Sequence, residues 1–484
     1  MFLVALGVTI VLVALYLLAG GVDLGGLFDG APEWGLVAQG GSPAPLQMAR
    51  TEALDWRSKA EKGDAYAQFR LGVIYEHGLG GFPRDMTEST RYYRMAAEQG
   101  SWKAQYNLGA LYKDGAEGLA KNEVEAVRFL TMAVKQNDAR AQQQLALMYL
   151  GGLGGLPKDE IEALRLVKLS VAQGNEYAED TLAWMHFYGR GGLDKDETEA
   201  ARHYAVAAKN GLADAQKYLA WMYLNARGGL PKDESKAVQL YERAAKQSDD
   251  EAAVELAGLY FSGTGSVQMN EVEALRWYRM AAEHGNARGQ SGLAWMNLAG
   301  RGGLPVNQAE AARLYKLAAD QGNADAQMSL ARMYLNGQGG LTQSLADATH
   351  YYKMAADGGN AIGQRMTAYM YLKGYGGLPV DENEAARLYK LAADQGDANA
   401  LDNLGVMTQE GRGGLRKDDV VAQNLFAKSA AGGFAKGMYD YGLMFDYGAG
   451  GLPQDHDHAL QLFKQAAAAG YEPAQDALRR LGVQ

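Results

Sequence analysis

A chain of 484 residues is too long for one ordinary hydrophobic core, so it must hold several domains or one repeat array. Hydrophobic content of 48% and charged content of 21% exclude a disordered chain. The formal charge of -10 argues against nucleic acid and acidic membrane surfaces as partners, and the lack of cysteine excludes disulfides and thiolate chemistry.

The first predicted element is an uncharged stretch, "FLVALGVTIVLVALYLLAGGV" over residues 2–22, long enough to cross a bilayer as a helix. No basic residue precedes Arg50, which favours an uncleaved anchor over a cleaved signal. Cleavage after Gly21, with Ala19 three residues back, is the alternative, and it would leave an exported chain. Long C-terminal domains behind such a span are commonly exported, so the expected location is the inner membrane, single-pass, with the remainder periplasmic. Residues 23–47 are rich in Gly, Pro and Ala and read as a flexible linker. Residues 48–63 carry the pattern of a capping helix, with Glu52 and Asp55 at slots that are apolar further along.

From there one period governs the chain. Steps of 37 from Gly100 land on Asn137, Gly174, Gly211, Ser248, Gly285, Gly322, Gly359, Gly396, Gly433 and Gly470, without any insertion. Eleven units therefore span residues 64–470, and residues 471–484 read as a C-terminal capping helix with Arg479 at a normally small slot. Each unit opens with a predicted helix A. Its fixed stripe is a small residue such as Ala104, then Leu108-Gly109, then Leu111-Tyr112, which is helical spacing. His186, Asn297 and Thr408 replace the usual tyrosine.

A glycine loop follows, as in "GGLGGLPKD" over residues 151–159. Such a loop before a helix has the look of a phosphate cradle. Yet it recurs as "GLGGFPRD", "GRGGLPVN" and "GYGGLPVD", it follows a helix instead of a strand, and no Gly-Lys-Ser/Thr closes it. Glycine here is expected to supply positive φ and a helix C-cap, so no nucleotide and no cofactor is expected. Predicted helix B begins at Asp85, Asn122, Asp159 and their equivalents, which are good N-caps. Glu three residues on, as at Glu88, Glu125 and Glu384, completes the pattern of a capping box. One hairpin of this kind cannot bury its apolar face, and stacked neighbours can.

The run from Ala104 to Tyr112, the later Asp-x-x-x-Ala and "WYRMAAEHG" from Trp277 to Gly285 resemble Sel1-like repeats, relatives of tetratricopeptide repeats. The doubled glycine with Leu-Pro makes the loop one residue longer than the shortest form of that repeat. The resemblance implies an all-α fold, an α/α solenoid (superhelix) of about eleven 37-residue hairpins, that holds protein partners. It also implies a bacterial protein and, with the anchor expected at residues 2–22, either a membrane-anchored envelope scaffold or an immunity protein that neutralises a secreted effector such as a lipase.

Candidate chemistry is sparse. His456 and His458 diverge at a helix start, and the methionines at the slot of Met148 read as core, so no metal is expected. No unit carries a lone set of catalytic residue types, so no enzyme is expected. Recognition should sit where units differ, on the helix A stripe at the slots of Tyr66, Phe69, Arg70, Val73 and His77, which lines the concave side if the array curves. There the chain places Tyr177, Trp184, Tyr188, Tyr218, Trp221, Trp295 and Tyr369, with Arg332 and Arg365 nearby. Trp, Tyr and Arg dominate binding hot spots. The competing reading is that the three tryptophans only fill space between helices.

Overall fold

The computed structural model describes residues 48–481. The stretches 2–22 and 23–47, expected above as anchor and linker, lie outside the described residues. The chain divides into two compact units, Met1–Asp233 and Glu234–Gln484. The first holds α1 (Arg50–Glu61), α2 (Ala65–His77), α3 (Met86–Glu98), α4 (Trp102–Asp114), α5 (Glu123–Lys135), α6 (Ala139–Gly151), α7 (Glu160–Val171), α8 (Glu176–Tyr188), α9 (Glu197–Lys209) and α10 (Ala213–Leu224). The second holds α11 (Glu234–Ala245), α12 (Asp250–Ser262), α13 (Glu271–Glu283), α14 (Ala287–Ala299), α15 (Gln308–Asp320), α16 (Ala324–Asn336) and α17 (Leu345–Asp357). It continues through α18 (Ala361–Lys373), α19 (Glu382–Asp394), α20 (Ala398–Glu410), α21 (Asp419–Ala431), α22 (Ala435–Tyr447), α23 (His456–Ala468) and α24 (Glu472–Arg480). Among the described residues the sole extended pairing is an isolated bridge between Ala116 and Leu119. The fold is an all-α repeat solenoid.

Why these residues fold this way is visible in one hairpin. Asp64 caps α2 by accepting from Ala67 N–H at 2.6 Å, and Gly78 ends it in the left-handed conformation at φ 64°. Asp85 then caps α3 by accepting from Thr87 and Glu88 N–H at 2.9 and 3.0 Å. The two helices close on each other where Tyr93 lies on Gly72; a Cβ there would stand 2.6 Å from the ring. The methionines of the repeated slot, including Met148, Met185, Met333 and Met407, are buried, and Leu156, Leu193, Leu304 and Leu378 pack against the core from the loops.

The expected capping box is corrected by the structure. Its second half requires the Glu side chain to reach back to the N-cap N–H. That N–H already donates to helix A: Asp85 N–H to Tyr75 O at 2.8 Å, Asn122 to Tyr112 O at 2.7 Å, Asp381 to Tyr371 O at 3.1 Å. The glutamates turn instead to an arginine one turn on, as in Glu88–Arg91 at 2.7 Å and Glu384–Arg387 at 2.6 Å. Half the motif operates.

Two ladders join the pieces. A buried glutamine in helix A donates to the last turn of the preceding helix B, Gln105 to Ala97 O at 3.0 Å and Gln327 to Ala319 O at 3.1 Å. The same glutamine accepts from the end of its own helix B, Gln136 to Gln105 at 2.8 Å and Gln395 to Gln364 at 2.8 Å. The glutamine is a second donor to these helix-terminal carbonyls, which also accept from Gly100 N–H at 3.0 Å and Gly322 N–H at 2.9 Å. The second ladder runs from a Glu in the first turn of helix B to the next glycine loop. Glu160 accepts from Gly191 N–H at 3.2 Å and pairs with Arg190 at 2.9 Å; Glu271 does the same with Gly302 at 3.1 Å and with Arg301.

Candidate protein-interaction face

The described candidates fall into the two units. In the first, Trp184 and Tyr188 lie one turn apart on α8 with ring centroids 5.4 Å apart. Phe187 meets Tyr188 at 4.9 Å and Trp221 of α10 at 5.8 Å, both edge to face. An aromatic run thus crosses from one hairpin to the next. The guanidiniums of Arg190 and Arg227 each stand 5.8 Å from a tryptophan, Trp184 and Trp221 respectively. Both are held there by acids of the preceding hairpin, Arg190 by Glu160 and Arg227 by Glu197 at 2.6 Å. The Arg227 pairing pulls the Glu197 carboxyl down to about 2. Trp184 and Trp221 are half-buried. They pack between helices and also offer surface.

Beside this run sits a polar cluster. Tyr218 stacks on Tyr204 of α9 with centroids 5.3 Å apart and planes 16° apart. Tyr204 is 1% exposed, and its hydroxyl has no protein hydrogen-bond partner. Asp180 of α8 is its electrostatic neighbour, and the sealed Asp180 Oδ1 is likewise without one. Burial, then the nearby Asp214, push the Asp180 carboxyl up to about 7, against the pull of Lys217. Buried polar atoms left unpaired are costly and uncommon. Tyr177 is half-buried on the first turn of α8, with Glu176 and Tyr106 as electrostatic neighbours.

The second unit repeats the aromatic pair. Trp295 of α14 meets Phe261 of α12 at 4.9 Å, edge to face, and Arg301 stands 5.9 Å from Phe261. The other candidates there differ in setting. Arg365 is half-buried and paired with Asp397 at 3.1 Å; Arg332 is exposed; Tyr369 is exposed, 6.1 Å from Tyr375.

Phe187, Phe261, Asp180 and Tyr204 escaped the sequence reading. The phenylalanines share one slot two periods apart, and Asp180 stands where Phe69, Tyr106 and Tyr439 stand in other units. The same slot holds Lys217, Arg365 and Asp402 in other units, so charge in that column does not single out Asp180. The partnerless hydroxyl of Tyr204 leaves no trace there either. Elsewhere, His456 turns to Asp446 at 2.7 Å while the His458 ring rests on Phe445 at 4.3 Å. Among the described residues no group of His, Asp and Glu converges as a metal site.

Eleven segments, from 65–101 through 435–471, match the family model described as Sel1 repeat. A search of curated proteins finds no match. Among solved structures, a protective antigen of uropathogenic Escherichia coli displaying an SLR fold is 28% identical, at a TM-score of 0.66, over 89% of this chain and 90% of its own. A Sel1 repeat protein from Oxalobacter formigenes is 29% identical at a TM-score of 0.49, over 64% of this chain and 88% of its own. An immunity protein from Pseudomonas aeruginosa is 21% identical at a TM-score of 0.33, over 45% of this chain and 80% of its own, a likeness too loose to bear on function. With its period, its hairpins and eleven matched segments in register, the chain belongs to the Sel1 repeat family.

Proposed function

We propose that this chain is a non-enzymatic scaffold of the bacterial envelope that binds a protein partner on the helix A face of its first unit. The stretch 2–22 serves as an inner-membrane anchor, and the repeats lie on the periplasmic side. Sel1 repeat solenoids are generally protein-interaction scaffolds, which supports the class of function. The observation that carries the site is the half-buried run Trp184, Tyr188, Phe187 and Trp221, beside the two sealed, unbonded polar atoms of Asp180 and Tyr204. Exposed aromatic area supplies contact at low entropic cost.

The test is affinity capture from detergent-solubilised membranes with the full chain and with the double variant Trp184→Ala/Trp221→Ala. The expected result is loss of the captured species with helicity retained. Tyr188→Ser, a milder change on the same face, guards against a folding artefact and should weaken capture in the same direction. Equal capture by all three proteins would refute the site. A captured set of envelope components supports the scaffold; a single secreted effector enzyme silenced on binding would replace it with the immunity reading.

A further inference from the structure

The second unit holds a groove where the repeat departs from its own packing rule. In the first hairpin three rings fill the space between the end of helix A, the loop and helix B. Tyr75 meets Phe82 at 5.5 Å, edge to face, and stacks on Tyr92 at 5.9 Å. The stack recurs as Tyr112 on Phe129 at 6.0 Å and Tyr334 on Tyr351 at 5.7 Å. Nine periods after that first trio stand Thr408, Leu415 and Leu425; leucine is also the common residue at the last two slots, as at Leu156 and Leu166, so the ring lost from the tenth hairpin is that of the tyrosine which Thr408 replaces. Those residues line a groove of ≈ 750 Å³ with Leu404. The floor is apolar: Leu404 is buried, and the Thr408 hydroxyl donates to Leu404 O at 2.7 Å within its own helix.

The rim is charged with a bias. Lys390, Arg416 and Lys428 line it, and none of them makes an ion pair among the described residues. Of the two rim acids, Asp418 is turned to the N-terminus of α21, accepting from Val420 and Val421 N–H at 3.0 Å each, so three cations face two carboxylates of which one is already engaged.

We propose that this groove is a docking site for an aromatic side chain carried on an acidic polypeptide segment. The ring occupies the place that the repeat's own tyrosine holds elsewhere, against Leu415 and Leu425, while the flanking carboxylates meet the cationic rim. Shape selects the ring because the missing volume is that of the tyrosine ring which Thr408 replaces, and charge selects the segment. The site lies wholly in the second unit and is independent of the tryptophan face proposed above.

The probe is a fluorescein-labelled peptide, Asp-Glu-Phe-Asp-Glu with capped ends, titrated with the full-length chain in detergent and read by anisotropy. Binding is expected to weaken at least about tenfold when Phe is replaced by Ala in the peptide. It is expected to weaken about as much in Thr408→Tyr, which restores the ring from within, while melting temperature stays level or rises. Leu425→Phe fills the groove from the other side and should act alike, so a folding failure of one variant leaves the other to decide. Lys428→Glu should weaken binding and flatten its salt dependence. Undetectable binding to the unaltered chain, equal binding of the Phe and Ala peptides, or undiminished binding by a folded filled variant each overturns the proposal.

Discussion

The backbone N–H of Gly154 donates to the Glu123 carboxylate at 3.2 Å, from the loop of one hairpin to the first turn of helix B in the hairpin before it. The glycine is there for approach as well as for φ. A Cβ on Gly154 would stand 2.3 Å from the Glu123 carbonyl oxygen, whereas one on Gly155, at φ 81°, would meet nothing within 4 Å. Two adjacent glycines of one loop thus have different reasons to exist.

That difference is measurable at the equivalent pair Gly302 and Gly303. Gly302→Ala incurs the left-handed penalty and a clash, its Cβ 2.7 Å from Glu271 O; Gly303→Ala incurs the penalty alone. The expected losses are about 2–4 kcal/mol for the first and about 1–2 kcal/mol for the second. Urea unfolding followed by circular dichroism compares them; equal losses would mean that approach between hairpins is not what the first glycine secures.

The half-used capping box gives a second contrast. Asp381 accepts from Glu384 N–H at 3.0 Å, while the Glu384 side chain is spent on Arg387. Asp381→Ala should cost about 1 kcal/mol. Glu384→Gln should cost less than about 0.5 kcal/mol, as befits an exposed i,i+3 pair. Chemical denaturation of both variants checks this, and a larger loss for Glu384→Gln would restore the full box.

The buried glutamines predict a third outcome. Gln105→Leu removes one of two donors to the Ala97 carbonyl, which keeps Gly100 N–H at 3.0 Å, and one of two acceptors of the Gln136 amide, which keeps Gly100 O at 3.0 Å; it should destabilise the first unit by about 0.5–1.5 kcal/mol despite added apolar volume. Hydrogen exchange at the C-terminal turns of α3 and α5 should rise together. Unchanged protection there would make the ladder incidental.

Asp180 predicts a pH dependence. Its folded pKa of about 7 lies above the ordinary carboxylate value, so the folded state holds the proton more tightly than the unfolded one. Its contribution to stability is fully present below pH ~4 and is lost as pH rises to 7. Asp180→Asn should therefore raise the melting temperature at pH 8 by at least ~2 °C relative to the unaltered chain, with the gain shrinking toward pH 4. A gain independent of pH would show that the carboxyl is not the strained group.

Much of the architecture was legible in the residues. A strict period of 37, Asp, Asn or Ser at the start of helix B, and glycine at the end of helix A fix local geometry, because caps and left-handed turns depend on neighbours in the chain alone. The nine candidate binding residues were legible as residue types on a variable stripe. Their settings were not: Arg365 is tied to Asp397, and Tyr369 stands exposed.

The sequence by itself determined the hairpin, its copy number and the absence of thiol chemistry, since these follow from spacing and composition. Only tertiary structure decided which glycine touches the hairpin before it, why the glutamate of the capping box turns to arginine, and where Asp180 and Tyr204 are sealed without hydrogen bonds. Each of those outcomes depends on a group about 10 to about 30 residues away, brought near by the closing of a hairpin or by stacking, and competition for one N–H or one carbonyl is settled by distance in space.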